Sequence, residues 1–303
     1  MKDVAGKTAF ITGGGAGIGL ALAKVFARAG MNVVIADLRR DHLDEAVAVL
    51  EKDGANVLAI QLDVCDRKAM AAAADAAERR FGNVHLLCNN AGVNIIRPMD
   101  QATFEDVDWV VGVNLLGTFN GVLTFIPRIK AHGEGGHIVN TSSVAGIITG
   151  PGTAIYSATK FAIRGLSDAL RFDLAPYGIG VSVLCPGTVS TRLYESEENR
   201  PARFLGKVDD TVLAQRAGTG ELFRKVLPMG MDPMQVAERT LECVRQNRFY
   251  ILSHREVDQD IREAYDEMLA GLPDIPLDPE RVKLEAGRRQ KKYDLLKLLK
   301  DQS

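Results

Sequence analysis

Up to Thr191, short apolar runs alternate with longer segments in which apolar residues recur every three or four positions. Buried strands read as short apolar runs and helices as a 3–4 spaced stripe, so the alternation predicts repeated βαβ units around a parallel sheet. The predicted strands are Thr8–Ile11, Asn32–Ala36, Val57–Ile60, Val84–Cys88, Gly136–Asn140 and Val181–Leu184. The first predicted helix carries Ile18, Leu22, Val25, Phe26 and Ala29 on one face and stops at Gly30. Thr103 followed by Asp106 predicts a capped start for a long helical stretch through Trp109 towards Lys130.

After Thr191 the pattern changes. Glu195 to Asn199 is polar, and Pro201 to Pro233 mixes Gly, Pro and isolated apolar residues without a period. A long stretch of this kind inside a compact domain predicts a functional lid rather than a linker. Pro233 is suited to the first turn of another helix, running to about Asn247, and Arg248–Leu252 reads as a seventh strand. The remainder reads as helices interrupted at Pro273, Pro276 and Pro279. With no internal repeat and no domain boundary, the expected fold is a single α/β domain, a doubly wound seven-stranded parallel sheet of the Rossmann type. Its core is 5–192 and 233–253, its lid 193–232, and its C-terminal helical extension 254–303.

Composition narrows the function. Hydrophobic residues at 46% and charged residues at 25% are ordinary for a globular chain. No run reaches about 18 consecutive apolar residues, and the start lacks the apolar segment of a secretory signal, so no membrane partner and a cytoplasmic location are expected. A net charge of −2 makes no case for nucleic acid, and the basic patch at Arg288, Arg289, Lys291 and Lys292 reads as a solvated helix face. Cys65, Cys88, Cys185 and Cys243 are widely spaced, suggesting reduced thiols and neither a disulfide framework nor a metal site.

Thr12-Gly13-Gly14-Gly15-Ala16-Gly17-Ile18-Gly19 lies between the first strand and first helix, where a dinucleotide pyrophosphate meets a helix N-terminus. Gly13 suits a tight turn, Gly17 a close approach of backbone to phosphate, and Gly19 close packing of helix on sheet. The spacing is G-x-x-x-G-x-G, unlike the G-x-G-x-x-G fingerprint, and a purely structural turn is the alternative. Asp37 ends the second strand at 37 − 19 = 18 residues past the last glycine, where a carboxylate accepts from an adenosine ribose. That carboxylate favours NAD. Arg39 and Arg40 follow at once; they either reach a 2′-phosphate, leaving NADP as the alternative cofactor, or are solvated loop charges.

Tyr156 and Lys160 stand four residues apart on a predicted helix and so face the same side. A free tyrosine titrates near pH 10, and a nearby ammonium together with an oxidised nicotinamide is expected to lower that value. Ser143, at 156 − 143 = 13 residues before Tyr156, falls at the carboxyl edge of the sheet, where its hydroxyl can donate to a substrate oxygen; Ser142 is the rival.

Together these residues resemble the short-chain dehydrogenase/reductase family over roughly residues 5 to 192. Its glycine motif appears as Thr12 to Gly19, its N-N-A-G segment as Asn89-Asn90-Ala91-Gly92, and its helix asparagine as Asn114. Its serine appears as Ser143, its Y-x-x-x-K as Tyr156 and Lys160, and its P-G segment as Pro186-Gly187 followed by Val189 and Thr191. The resemblance implies that Tyr156 is the general acid/base and that Lys160 lowers its pKa while holding the nicotinamide ribose. It further implies that Ser143 orients the substrate oxygen and that Asn114 supports a water-linked proton path. Thr12, Gly13, Gly15, Gly17, Ile18, Gly19, Asp37, Arg39, Asn90, Ala91 and Gly92 would then line or shape the cofactor groove. Asp63 with Val64 would meet the adenine, and Pro186, Gly187, Val189 and Thr191 the carboxamide. Turn and cap roles are the alternative for Asn90 and Asp63.

The chain departs from the common family pattern after Thr191, where the usual members end soon after the seventh strand. Its length, Phe125 to Arg128, and Arg200-Pro201-Ala202 are similar to bacterial dehydrogenases and ketoreductases of bulky aryl secondary alcohols, including Cα-dehydrogenases of lignin-derived aryl ethers. Leu193, Tyr194, Phe204, Leu205, Leu222 and Phe223 would form an apolar lid or simply pack. The expected activity is NAD(P)-dependent interconversion of a small-molecule alcohol and ketone by a homodimer or homotetramer. A catalytically silent dinucleotide-binding protein and a cofactor-dependent isomerase are the alternatives on this fold.

Overall fold

The computed structural model describes residues 1–206 and 210–301. Its strands are β1 (Thr8–Thr12), β2 (Asn32–Asp37), β3 (Val57–Gln61), β4 (Leu86–Asn89), β5 (Gly136–Thr141), β6 (Ile179–Cys185) and β7 (Tyr250–Leu252). They form one sheet in the order β3-β2-β1-β4-β5-β6-β7, every pairing parallel. Successive side chains point to opposite faces, so β1 sends Ala9 and Ile11 into one core and Phe10 into the other. The first core is covered by α1 (Gly17–Arg28), α2 (Arg40–Lys52) and α8 (Pro233–Arg245). The second is covered by α3 (Arg67–Phe81) and α5 (Gly117–His132), with Phe10 against Phe125 at 4.6 Å between ring centres. Chain order reverses between β1 and β4, which opens a crevice beyond their carboxyl ends.

The expected doubly wound seven-stranded sheet is the fold found. β7 nevertheless starts two residues later than the apolar run suggests. Asn247 closes α8 in a left-handed conformation with φ 51°, and the Arg248 N–H donates back to the Cys243 carbonyl, so Arg248 belongs to the helix end.

The predicted cap at Thr103 opens α4 (Phe104–Val110): the Asp106 N–H donates to Thr103 Oγ1 at 3.2 Å, and the Thr103 N–H returns to Asp106 Oδ2 at 3.1 Å. A wider π-type turn, Val111–Leu116, joins α4 to α5. This continuous stretch, Phe104–His132, is long and apolar enough to cross a membrane, although no run of consecutive apolar residues marks it. Its apolar side, including Trp109, Val110, Val122, Phe125 and Ile129, is buried in the protein core. Asp106 is itself fully buried. Burial alone would raise its carboxyl, but the Thr103 N–H and the charges of Arg97 and Arg200 hold it below the usual carboxylate range.

The segment expected to lack regular structure holds a helix, α7 (Asp210–Val226). Its described buried positions are 219, 220 and 223, continued by Leu227 beyond the helix. Two of those are Thr219 and Gly220, so the inward stripe is nearly invisible to a hydrophobic pattern. Beyond β7, α9 (Asp258–Ala270) stands in solvent, while α10 (Pro279–Asp301) lies against α6 (Ala154–Leu174), where the Lys292 ammonium sits 5.0 Å from the centre of the Phe172 ring.

His137 on β5 is fully buried, with Nε2 2.8 Å from Ser182 Oγ. Burial lowers its pKa to about 3, whereas an unfolded histidine titrates near 6.5. Below pH 6.5 the unfolded chain therefore takes up a proton that the folded protein refuses, and stability should fall by about 1.4 kcal/mol per pH unit from this residue alone. Urea midpoints of the wild type and His137→Asn between pH 7 and pH 5 test this. The variant should lose that part of the slope, and parallel lines would contradict it.

Candidate active site

The glycine turn lies in the crevice between β1 and β4. Gly13 and Gly17 hold φ of +63° and +51°, a region that favours residues without a Cβ. A Cβ on Gly19 would lie 1.9 Å from the Gly13 carbonyl oxygen, so turn and helix start share one narrow space. Ala16 precedes α1 with no side-chain cap, which leaves the N–H groups of the first turn available to an anion. Thr12 Oγ1 accepts from the N–H groups of Asn90 and Ala91 at 3.0 and 3.1 Å, and Asn90 Nδ2 donates to the Thr12 carbonyl at 3.1 Å. Thr12, Gly15 and Gly19 therefore stand behind the cavity wall, and Asn90 does both jobs, lining the cavity and tying the turn to β4.

At the far end of the groove, Asp37 is oriented by two backbone donors. Oδ2 accepts from Gly15 N–H and Oδ1 from Arg39 N–H, each at 3.0 Å. The Arg39 guanidinium is turned away from a free approach, with Nε 2.8 Å from Asp41 Oδ1 and NH1 2.9 Å from Asn199 Oδ1. Arg40 pairs with Asp44 on the exposed face of α2. Asp63 accepts from Cys65 N–H and pairs with Arg203 at 2.5 Å. His42 Nε2 lies 3.1 Å from Glu195 Oε2, and Arg192 reaches Glu45 at 2.8 Å. The polar stretch after Thr191 is thus fastened across this end of the groove. Asn199, His42 and Arg203 went unnoticed in the sequence because their partners lie between 140 and 160 residues away.

The cavity joins these two regions to a third. It measures about 260 Å³ and runs from Gly13, Gly17, Ile18 and Asp37 past Arg39, Asp63, Val64, Ala91 and Gly92 to Ser143, Tyr156 and Lys160, closed by Pro186, Gly187, Val189 and Thr191. Lys160 is buried on α6, and its Nζ donates to the Thr141 carbonyl at 2.9 Å. Burial lowers the Lys160 ammonium to about 8. Tyr156 moves the other way. Burial pushes its phenol up to about 12, against a hydrogen bond with Ser143 that favours the phenolate. The expected lowering needs the Lys160 ammonium together with an oxidised nicotinamide; in the protein by itself removal from water is the larger effect on Tyr156, and the Lys160 ammonium, 5.4 Å from the centre of the Tyr156 ring, also donates to Thr141.

The two serines separate cleanly. Ser142 is buried and donates to the Lys160 carbonyl at 2.7 Å, whereas the half-buried Ser143 faces the cavity beside Tyr156, with its Oγ accepting from Ala145 N–H at 3.1 Å and 3.4 Å from the Pro186 carbonyl. Asn114 sits in the π-type turn, fully buried. Its Oδ1 accepts from Val93 N–H at 2.8 Å, and its Nδ2 donates to the Val93 carbonyl at 3.0 Å and Thr159 Oγ1 at 3.3 Å. The amide is committed to the framework rather than to the cavity, joining the segment after β4 to α6. A Cβ on Gly92 would lie 3.4 Å from Asn114 Oδ1 and 3.6 Å from Lys160 Nζ, so the three meet at one point. Among the expected lid residues, Leu193 lines the cavity and Phe204 packs with Trp109, while Leu205 and Leu222 are exposed.

A family model described as short chain dehydrogenase matches residues 7–202. The C alpha-dehydrogenase of Sphingobium sp. strain SYK-6 is 37% identical over 289 residues, covering 94% of this chain and 93% of its own. Among solved structures, a short chain dehydrogenase/reductase from Burkholderia phymatum in complex with NAD superimposes with a TM-score of 0.84 at 36% identity, over 92% of this chain and all of that one. The apo form of LigO from Sphingobium sp. strain SYK-6 gives 0.77 at 39% identity, over 97% and 99%.

The serine geometry carries a direct expectation for stability. Ser142→Ala removes a buried hydrogen bond and should cost about 1 kcal/mol in urea unfolding. Ser143→Ala, which removes a half-buried acceptor that water can replace at the Ala145 N–H, should cost less, about 0.5 kcal/mol. Equal losses at the two positions would mean that Ser142 is not the framework serine.

Proposed function

The chain belongs to the short-chain dehydrogenase family, and on that premise we propose that it oxidises a bulky, aromatic secondary alcohol to its ketone with NAD, or runs the reverse reaction. The observation that carries this reading is one continuous cavity holding the Ser143 and Tyr156 hydroxyls at one end and the glycine turn with Asp37 at the other.

The residues fit a dinucleotide. The uncapped first turn of α1 offers N–H groups to a pyrophosphate, and no acidic side chain stands in that turn to oppose it. The Asp37 carboxylate, held by two N–H groups, is suited to accept from ribose hydroxyls and repels a 2′-phosphate. Arg39, bound by Asp41 and Asn199, is not free to offset that repulsion. The NAD complex of the Burkholderia relative supports the same choice. When bound, the oxidised nicotinamide supplies the hydride acceptor and a positive charge.

Ser143 Oγ donates to the substrate oxygen, and Tyr156 Oη takes the hydroxyl proton as the carbinol hydride leaves. A phenol at about 12 is a poor base at neutral pH, so the buried cation of Lys160 and the positive charge of the bound ring are both needed to populate the phenolate. Lys160 is suited to this by position: its Nζ is anchored at Thr141, with the remaining ammonium protons free to hold ribose hydroxyls. Val189 is buried against the strand-like contact with Met231, and Thr191 packs on Gly17, which fits a segment that holds the carboxamide. We take Asn114 and Thr12 as positioning residues.

Trp109, Val113, Leu193 and Leu227 give the same cavity apolar walls, which supports an aromatic substrate, as does the likeness to a C alpha-dehydrogenase along nearly the whole chain. The segment 193–232 acts as its lid, and 254–303 is an extension of a single domain. A cytoplasmic homodimer or homotetramer is the assembly we expect.

Tyr156→Phe should lower kcat for a bulky aryl alcohol by about 10²–10⁴-fold while the Kd for NAD changes by less than about threefold. Stopped-flow turnover and calorimetric titration measure the two, and retained turnover would reject the assignment. Asp37→Ala should narrow the ratio of Kd values for NADP and NAD by about tenfold or more, since it removes the carboxylate that repels the 2′-phosphate. A wild type that prefers NADP would contradict the reading.

A further inference from the structure

The P-G segment that closes the cavity is held from outside by a residue beyond the last strand. His254 lies two positions past β7, and its imidazole spans the backbone of residues 187 and 188. The Gly187 N–H donates to His254 Nδ1 at 3.1 Å, and His254 Nε2 lies 2.8 Å from the Thr188 carbonyl oxygen. A carbonyl only accepts, so Nε2 carries the proton and Nδ1 is the acceptor. Ser253 Oγ, 2.8 Å from Nδ1, can donate to the same acceptor. One neutral tautomer satisfies all three contacts.

The fit is steric as well as polar. A Cβ on Gly187 would lie 2.9 Å from His254 Cγ, so the glycine is what lets the ring lie flat against the backbone. The neighbouring backbone is pinned on its other sides. Val144 N–H donates to the Pro186 carbonyl at 2.9 Å, Met231 N–H to the Thr188 carbonyl at 3.0 Å, and Ser190 N–H to the Met231 carbonyl at 2.9 Å. Among the contacts of the described residues, His254 alone receives the Gly187 N–H. Without it that donor would lack its protein partner next to the cavity.

We propose that His254 is a positioning residue for the nicotinamide half of the cofactor: it fixes Gly187 and Thr188 so that Val189 and Thr191 present a set geometry to the carboxamide. The first residue of the C-terminal extension thereby belongs to the working site. The inference rests on the reading that the segment 186–191 holds the nicotinamide, and the test separates the two.

The full chain and its variants are titrated calorimetrically with NAD and with ADP-ribose, which lacks the nicotinamide. His254→Ala should weaken NAD by about three- to tenfold, as for loss of a partly buried hydrogen-bonding partner, while ADP-ribose stays within about twofold. His254→Asn, whose amide oxygen can accept from the Gly187 N–H, should recover part of the loss. Unchanged ADP-ribose binding also shows that the variant is folded. If NAD and ADP-ribose weaken together, or NAD binds His254→Ala as it binds the wild type, the positioning role is wrong. Thr191→Ala distinguishes the layers: if it weakens NAD and His254→Ala does not, only the histidine's role falls; if neither does, the segment does not hold the nicotinamide and both fall.

Discussion

The site depends on how closely the turn after β1 can lie against the start of α1 and the end of β4. The Gly13 carbonyl occupies the place where a side chain on Gly19 would begin, and Thr12 and Asn90 tie the turn to the strand beside it. This steric constraint sets the mouth of the crevice, and the crevice fixes where a dinucleotide's phosphates can meet the uncapped helix end. Everything downstream is then a matter of distance along the same groove: Asp37 lies at one end, with Ser143 and Tyr156 at the other.

Removal from water governs the chemistry at that second end. It raises the Tyr156 phenol and lowers the Lys160 ammonium, so both groups are biased towards their neutral forms. A site of this kind stores responsiveness. Each group is poised to charge when an opposite charge arrives within the same low-dielectric space, because Coulombic interactions there are stronger than in water. The Ser143 hydroxyl already favours the phenolate, and the framework contacts of Lys160 and Asn114 keep the distances fixed while the charges change.

The sheet was legible because its inner strands β1, β2, β4, β5 and β6 are buried on both faces and read as apolar runs, and because the glycine turn, Asp37 and the Tyr156–Lys160 spacing are local signals. What stayed hidden is long-range or polar. The helix α7 turns Thr219 and Gly220 inwards, which weakens its hydrophobic period. Asn199, Arg203 and His254 act through backbone or side chains far away in the chain. The shift of Tyr156 could not be read from a four-residue spacing, since spacing reports the direction of a neighbour and not the loss of solvent around it. Asn114 was picked out by its motif, but its saturated amide is a tertiary fact.

The fastening of the polar stretch over the Asp37 end has a kinetic meaning. Arg192–Glu45, His42–Glu195, Arg39–Asn199 and Arg203–Asp63 fasten this stretch, and two of them, Arg192–Glu45 and Arg203–Asp63, are open to solvent. Exposed pairs are individually weak, at about 0–1 kcal/mol each. A roof stitched by several weak threads need not swing away as a rigid door. It can peel from one edge, stitch by stitch, so that a spent dinucleotide escapes through a sequence of small barriers in place of one large one.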